Sequence, residues 1–229
     1  MENSKKKLKH QLQLVPDSGS PLRLDPFQKE AIEALFAGLD VLVAAPTGTG
    51  KTLIAEKLLH WIIESGQGAV YTSPIKALSN QKYRDFLDEY GKEQVGLITG
   101  DLSLNETAPL LVMTTEIFRN WCFSNPEMLD KTSHVIFDEI HYLDDAQRGT
   151  AWEESIIFAP SHIKILGLSA TVPNIQEIAQ WIEHIRERPV RVIIEKNRAV
   201  PLRLKWITSK GKVLKKNEAL KYIYFEEFE

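Results

Sequence analysis

Along the chain, short and almost wholly apolar runs alternate with longer segments whose apolar positions recur at helical spacing. The runs at residues 41–44, 69–72, 95–99, 110–113, 134–138, 163–168, 190–195 and 201–207 read as strands. Between them, the first helix opens on Asp25-Pro26-Phe27-Gln28, with Asp25 as N-cap and Pro26 at the first helical position. Its apolar face is Ala31, Ile32, Leu35 and Phe36, and Gly38 stops it. A second helix starts near Thr52, buries Ala55, Leu58, Leu59, Ile62 and Ile63, and ends at Gly66. Further helices are predicted over 76–90, closed by Gly91, and over 116–123, 150–158 and 175–185. Strands without polar alternation, joined by helical crossovers, imply a mostly parallel sheet covered on both faces: the doubly wound α/β fold. Ligands of such sheets sit at the carboxyl ends of the strands.

Composition limits this picture only in part. The 229 residues, 43% of them hydrophobic, suffice for one substantial core. The predicted organisation is a tail at 1–20, rich in Lys5, Lys6, Lys7 and Lys9, an α/β domain at 21–206, and a linker or the start of a following domain at 207–229. That last stretch interleaves lysines with Tyr222, Tyr224, Phe225 and Phe228; packing against a neighbour explains it more simply than nucleic-acid binding. A net charge of −3 means that any nucleic-acid contact must come from a local surface. The single cysteine, Cys122, excludes an internal disulfide and fits a reducing cytoplasm. No apolar run approaches a membrane span, and residues 1–13 lack the apolar core of a signal peptide.

The chemistry starts at Ala45-Pro46-Thr47-Gly48-Thr49-Gly50-Lys51-Thr52, between a strand and a helix. Gly48 and Gly50 let backbone N–H groups curl round a phosphate without a Cβ in the way, and the following helix turns its positive dipole end to the same anion. Lys51 adds a cation for the β and γ phosphates, and Thr52 a hydroxyl for the Mg²⁺ that accompanies the nucleotide. A nucleoside triphosphatase also needs a carboxylate for the metal and a base for water, both following a buried strand. Val135-Ile136-Phe137-Asp138-Glu139-Ile140-His141 has that form, with Asp138 holding the metal through its water shell and Glu139 activating the attacking water. His141 is placed to link this loop to a neighbouring one. Ser169 and Thr171, in Leu168-Ser169-Ala170-Thr171, follow another apolar strand; their hydroxyls either report the state of the acidic loop or cap the helix that starts near Asn174.

Taken in order, these segments together with Thr72-Ser73-Pro74-Ile75-Lys76, Thr99-Gly100-Asp101 and Met113-Thr114-Thr115-Glu116-Ile117-Phe118-Arg119 resemble the first lobe of a superfamily-two helicase. His141 as the fourth letter of the acidic motif resembles the DExH class. The wording around it, and Pro201-Leu202 later, resembles the Ski-like RNA helicases that feed the exosome. The resemblance covers residues 22–206. It implies a RecA-like lobe that binds ATP and Mg²⁺, with Gln28 reading adenine and with Pro74, Lys76, Gly100, Thr115 and Arg119 lining the path of single-stranded RNA. From the residues alone, Gln28 is the far half of a capping box, and Lys76 and Arg119 are solvated helix faces. The family carries a second RecA-like lobe, which this chain does not reach; a separate chain or the rest of a longer one would have to supply it. A DNA repair helicase and an ATP-gated binding module that never translocates are the competing readings.

Overall fold

The computed structural model describes residues 24–145, 149–198, 205–208, 211–215 and 217–218. The predicted tail at 1–20 and most of the stretch beyond 207 lie outside the described residues.

Two compact units divide the chain, 1–197 and 198–229. In the first, the helices are α1 (Pro26–Phe36), α2 (Lys51–Glu64), α3 (Lys76–Tyr90), α4 (Thr115–Ser124), α5 (Gly149–Phe158) and α6 (Ile175–Arg186). The strands are β1 (Asp40–Ala44), β2 (Gly68–Ser73), β3 (Val95–Ile98), β4 (Ser103–Leu104), β5 (Leu110–Thr114), β6 (Thr132–Phe137), β7 (Lys164–Ser169) and β8 (Val190–Ile194). Among the described residues they form one sheet in the order β4-β3-β5-β2-β6-β7-β1-β8. Every pairing is parallel except β3 with β4. The doubly wound α/β architecture read from the pattern is the one observed.

Side chains of a strand alternate between the two faces, and the two cores separate on that rule. Val41, Val43, Tyr71, Leu97, Val112, Ile136 and Leu166 face α1, α2 and α3, where Ile32, Leu58 and Phe86 meet them. Leu42, Ala44, Val70, Met113, Val135, Phe137 and Ile165 face α4, α5 and α6, where Phe118, Trp152 and Ile178 meet them. Both faces being covered, the strands need no polar alternation, which is why they read as continuous apolar runs.

At the amino end of β1, Asp40 is a fully buried carboxylate. It accepts the Ile165 N–H at 2.8 Å and Arg188 Nε at 2.7 Å, with Arg186 Nε 3.7 Å away. Arg186 in turn donates to the carbonyls of Ile156, Ala159, Pro160 and Ile163. A buried charge is tolerable only when paired and hydrogen-bonded in this manner. The network locks β1 against β7 at the edge of the sheet opposite the carboxyl rim.

The sequence pattern missed β4, an exposed antiparallel pair of residues at the sheet edge. Two solvated residues carry no periodicity to detect. In the second unit, β9 (Trp206–Ile207) pairs antiparallel with β10 (Val213–Leu214) across a turn at Gly211, φ +76°. Of the strand predicted over 201–207, residues 201–204 lie outside the described residues.

Candidate active site

Because the strands of the central sheet run parallel, their carboxyl ends share one rim. Along it β6, β7 and β1 are consecutive. The loops after β6 and β1 are therefore two strand spacings apart, about 10 Å, with the end of β7 between them. The phosphate loop follows β1, the acidic pair follows β6, and Ser169 is the last residue of β7.

In the loop, Gly48 and Gly50 have φ of +84° and +82°. Both lie in the left-handed region that a Cβ disfavours, and the curl they permit is the nest of amides an anion requires. Ala45 and Pro46 are buried behind the curl, and Thr47 and Gly48 are exposed at its mouth. Thr49 is buried, and its Oγ1 donates to the Pro46 carbonyl at 2.7 Å, tying the curl shut. α2 starts at Lys51 with its free amides beside the loop, and Thr52, half-buried, lies in its first turn. Lys51 Nζ donates to the carbonyls of Ala45, at 2.8 Å, and Pro46, at 3.3 Å. Burial lowers its pKa, while the Glu139 and Asp138 carboxylates oppose that shift. Lys51 thus lies within the electrostatic reach of both acids.

Gln28 does two things in the structure. Its Oε1 accepts the Asp25 N–H at 2.9 Å, the capping box expected from the sequence. Its Nε2 donates to the carbonyls of Thr49, at 3.3 Å, and Gly50, at 3.0 Å, so α1 is tied directly to the phosphate loop. A Cβ on Gly50 would stand 2.7 Å from that Nε2.

Asp138 extends the β6 ladder by one bond, its N–H donating to the Thr72 carbonyl at 3.1 Å. One carboxylate oxygen accepts the Glu139 N–H at 3.1 Å, and the other accepts the Tyr71 hydroxyl at 2.7 Å. Glu139 adopts φ +56°, a left-handed conformation unusual for a glutamate and of the kind that concentrates at functional sites. Burial raises its pKa, the Asp138 carboxylate adds to that, and His141 and Lys51 pull the other way. A carboxylate moved toward neutrality is a better general base. His141 Nδ1 lies 3.3 Å from Glu139 Oε2, without hydrogen-bond geometry. A ring stack runs outward from His141 through Tyr142 to the buried Trp152 on α5, with centroids 5.3 and 5.6 Å apart. Ser169 is buried, and its carbonyl accepts the Ala45 N–H at 3.2 Å, linking the end of β7 to the phosphate loop. The Ser169 Oγ itself makes neither bond expected of it, to the acidic loop or as a helix cap. Thr171 is exposed, and the N-cap of α6 is Asn174.

The donors available to a metal are oxygens, the Thr52 hydroxyl and the Asp138 carboxylate. Such a pair fits Mg²⁺, which is bound by one or two protein oxygens together with phosphates.

The residues suggested for a nucleic-acid strand follow β2, β3 and β5, which are neighbours in the other half of the same rim. Pro74 is buried just after β2. Lys76 is exposed in the first turn of α3 and paired with Asp101 at 2.5 Å. Gly100 is exposed after β3, and a Cβ there would come within 3.6 Å of Lys76 Nζ. Thr115 opens α4 but its side chain is fully buried, so a contact there would fall to its backbone. Arg119 is half-buried, 3.5 Å from Glu154 and donating to Asn120. The nucleotide and strand candidates are thus brought to one rim, in two adjoining halves. Two contributors carry no sequence signal: the Tyr71 hydroxyl, on a strand that reads only as core, and the left-handed backbone of Glu139.

Residues 25–178 match the DEAD/DEAH box helicase family. The exosome RNA helicase MTR4 of Homo sapiens is 46% identical over 182 residues, which make up 80% of this chain and 17% of that protein. The antiviral helicase SKI2 of Saccharomyces cerevisiae is 45% identical over 194 residues, 84% of this chain and 15% of that protein. Among solved structures, the helicase Lhr of Mycobacterium smegmatis bound to ssDNA and AMP-PNP superimposes with a TM-score of 0.61 at 26% identity, covering 76% of this chain and 26% of Lhr. The chain spans between 15% and 20% of the length of the curated relatives it matches.

Proposed function

The chain belongs to the DEAD/DEAH box helicase family, and on that premise we propose that it is the ATP-binding lobe of an ATP-dependent RNA helicase. The observation that carries this reading is the position of Lys51, which touches the phosphate-loop carbonyls and interacts electrostatically with both Asp138 and Glu139. This supports grouping the anion cradle, the cation and the acid pair in one site.

In this site the amides between Thr47 and Thr52 hold the β and γ phosphates, and Lys51 leaves the loop carbonyls to meet them. Thr52, and Asp138 through the water shell of the ion, would hold the Mg²⁺, which would supply charge neutralisation at the phosphates. Glu139 takes a proton from the attacking water, with His141 beside it to fix the carboxylate. Gln28 reads adenine from the end of α1 while bracing the loop. Ser169 and Thr171, at the end of the strand between the two halves of the nucleotide site, carry its state toward a second lobe. Pro74, Lys76, Gly100, Thr115 and Arg119 hold successive phosphates of a single strand through backbone groups, including that of Thr115, and two cations.

A second RecA-like lobe, in cis or in trans, completes the site with an arginine finger. Without one, turnover falls by a factor of about 10³ to 10⁵, so this chain alone should hydrolyse ATP slowly and unwind little. The relative MTR4, an exosome RNA helicase, favours RNA as the strand, whereas the ssDNA in the Lhr structure favours DNA. Titrating single-stranded RNA and DNA of one sequence at a single stated salt concentration, with ATP hydrolysis as the readout, decides between them. RNA stimulating more strongly supports the proposal; stronger stimulation by DNA replaces RNA with DNA. No stimulation by either leaves an ATP-gated binding module, and robust unwinding by the chain alone contradicts the need for a second lobe.

A further inference from the structure

We propose that Tyr71 is a positioning residue that holds the Asp138 carboxylate in the orientation in which it receives the metal-bound nucleotide. The inference rests on the reading of Asp138 as the Mg²⁺ carboxylate. Tyr71 lies in the middle of β2, in register with Ile136 on β6, and its side chain is fully buried. Its ring packs edge-on against Phe86 of α3, with centroids 5.3 Å apart. The position reads as one more core aromatic, yet it carries a hydroxyl that a phenylalanine would fill the space without. That hydroxyl donates to Asp138 Oδ2 at 2.7 Å across 67 residues of sequence. A phenol is neutral at physiological pH and donates its O–H there.

The second carboxylate oxygen accepts the Glu139 N–H at 3.1 Å. Each oxygen of Asp138 therefore has one fixed donor, and the plane of the carboxylate is set by the rigid middle of the sheet and not by the acidic loop alone. Donors behind a metal-binding carboxylate commonly matter about 10- to 100-fold in metal affinity or activity. The ring edge of Phe86 leaves Tyr71 little room to rotate, so the phenol acts as a fixed strut. β2 also leads directly into Pro74 and Lys76, which makes the same strand the support for the metal carboxylate and for the first candidate strand contacts.

The test is Tyr71→Phe in the full 229-residue chain, with Phe86→Leu as a packing control. Equilibrium binding of a fluorescent ATP analogue is followed over a Mg²⁺ titration and again in EDTA, with the melting temperature recorded. Tyr71→Phe should stay folded, bind the analogue in EDTA as the parent does, and need about tenfold more Mg²⁺ for half-maximal binding. Phe86→Leu should lower the melting temperature and leave the Mg²⁺ midpoint where it was. A parental midpoint in Tyr71→Phe, an equal loss of binding with and without Mg²⁺, or a chain that no longer folds would each overturn the proposal. Analogue binding by the parent that ignored Mg²⁺ would instead overturn the reading of Asp138 as the Mg²⁺ carboxylate beneath it.

Discussion

Replacing Gly50 with alanine tests how the phosphate loop is held. The residue has φ +82°, a conformation that costs an L-residue with a Cβ about 1–2 kcal/mol. The new methyl would also stand 2.7 Å from Gln28 Nε2, too close for the amide to remain. Moving it gives up two hydrogen bonds, to the Thr49 and Gly50 carbonyls. At about 0.5–1.5 kcal/mol each, that adds about 1–3 kcal/mol, for a total of about 2–5 kcal/mol. Gly48 is the internal reference. Its φ is +84°, but a Cβ there meets no atom within 4 Å, so Gly48→Ala should cost only the conformational part, about 1–2 kcal/mol. Urea unfolding of the two variants, in the parent and in a Gln28→Ala background, separates the contributions. The excess of Gly50→Ala over Gly48→Ala should appear in the parent and vanish when Gln28 is gone. Equal costs in the parent, or an excess that survives Gln28→Ala, would refute the picture of α1 bracing the loop through that amide.

His134, buried in β6, has its pKa lowered to about 4 from 6.5 by burial, with the Lys164 and Arg188 charges adding to the effect. Between those values the unfolded chain binds a proton that the folded chain refuses, so stability is retained above pH 6.5 and falls as pH drops toward 4; at pH 5 the loss is about 2 kcal/mol. Urea unfolding of His134→Gln should show a fall from pH 7 to pH 5 smaller by that amount, and identical slopes would remove His134 as the cause. Asp40→Ala should cost about 3–5 kcal/mol in the same measurement, because it strands the buried Arg186 guanidinium. A loss under 1 kcal/mol would mean that the network is not the clamp between β1 and β7.

The segments proposed for the chemistry were legible in the sequence because their signals are local. A glycine-bearing loop between strand and helix, and two acids closing an apolar run, announce themselves within a few residues. The parallel sheet was equally legible, since strands covered on both faces lose their polar alternation. Strand order was not. That β7 separates β6 from β1, placing Ser169 between the phosphate-loop and acidic halves of the proposed site, depends on packing of the whole chain. The bond from Tyr71 to Asp138 spans 67 residues, and no periodicity distinguishes that tyrosine from a core aromatic. Gln28 shows the limit from the other side. Its capping box was readable at a spacing of three residues, whereas its hold on Thr49 and Gly50, more than twenty residues away, was not. The hydroxyl of Thr115 illustrates a third case: placed by its motif on the strand path, it is buried because α4 begins there and turns that face to the core.

The most direct measurement compares Lys51→Ala with Glu139→Gln in nucleotide binding and in single-turnover cleavage of ATP. With cradle and acid pair serving one nucleotide, Lys51→Ala should weaken binding itself, and Glu139→Gln should bind close to the parent and cleave nothing. Cleavage at the parental rate by Glu139→Gln would contradict the claim that this carboxylate activates the water.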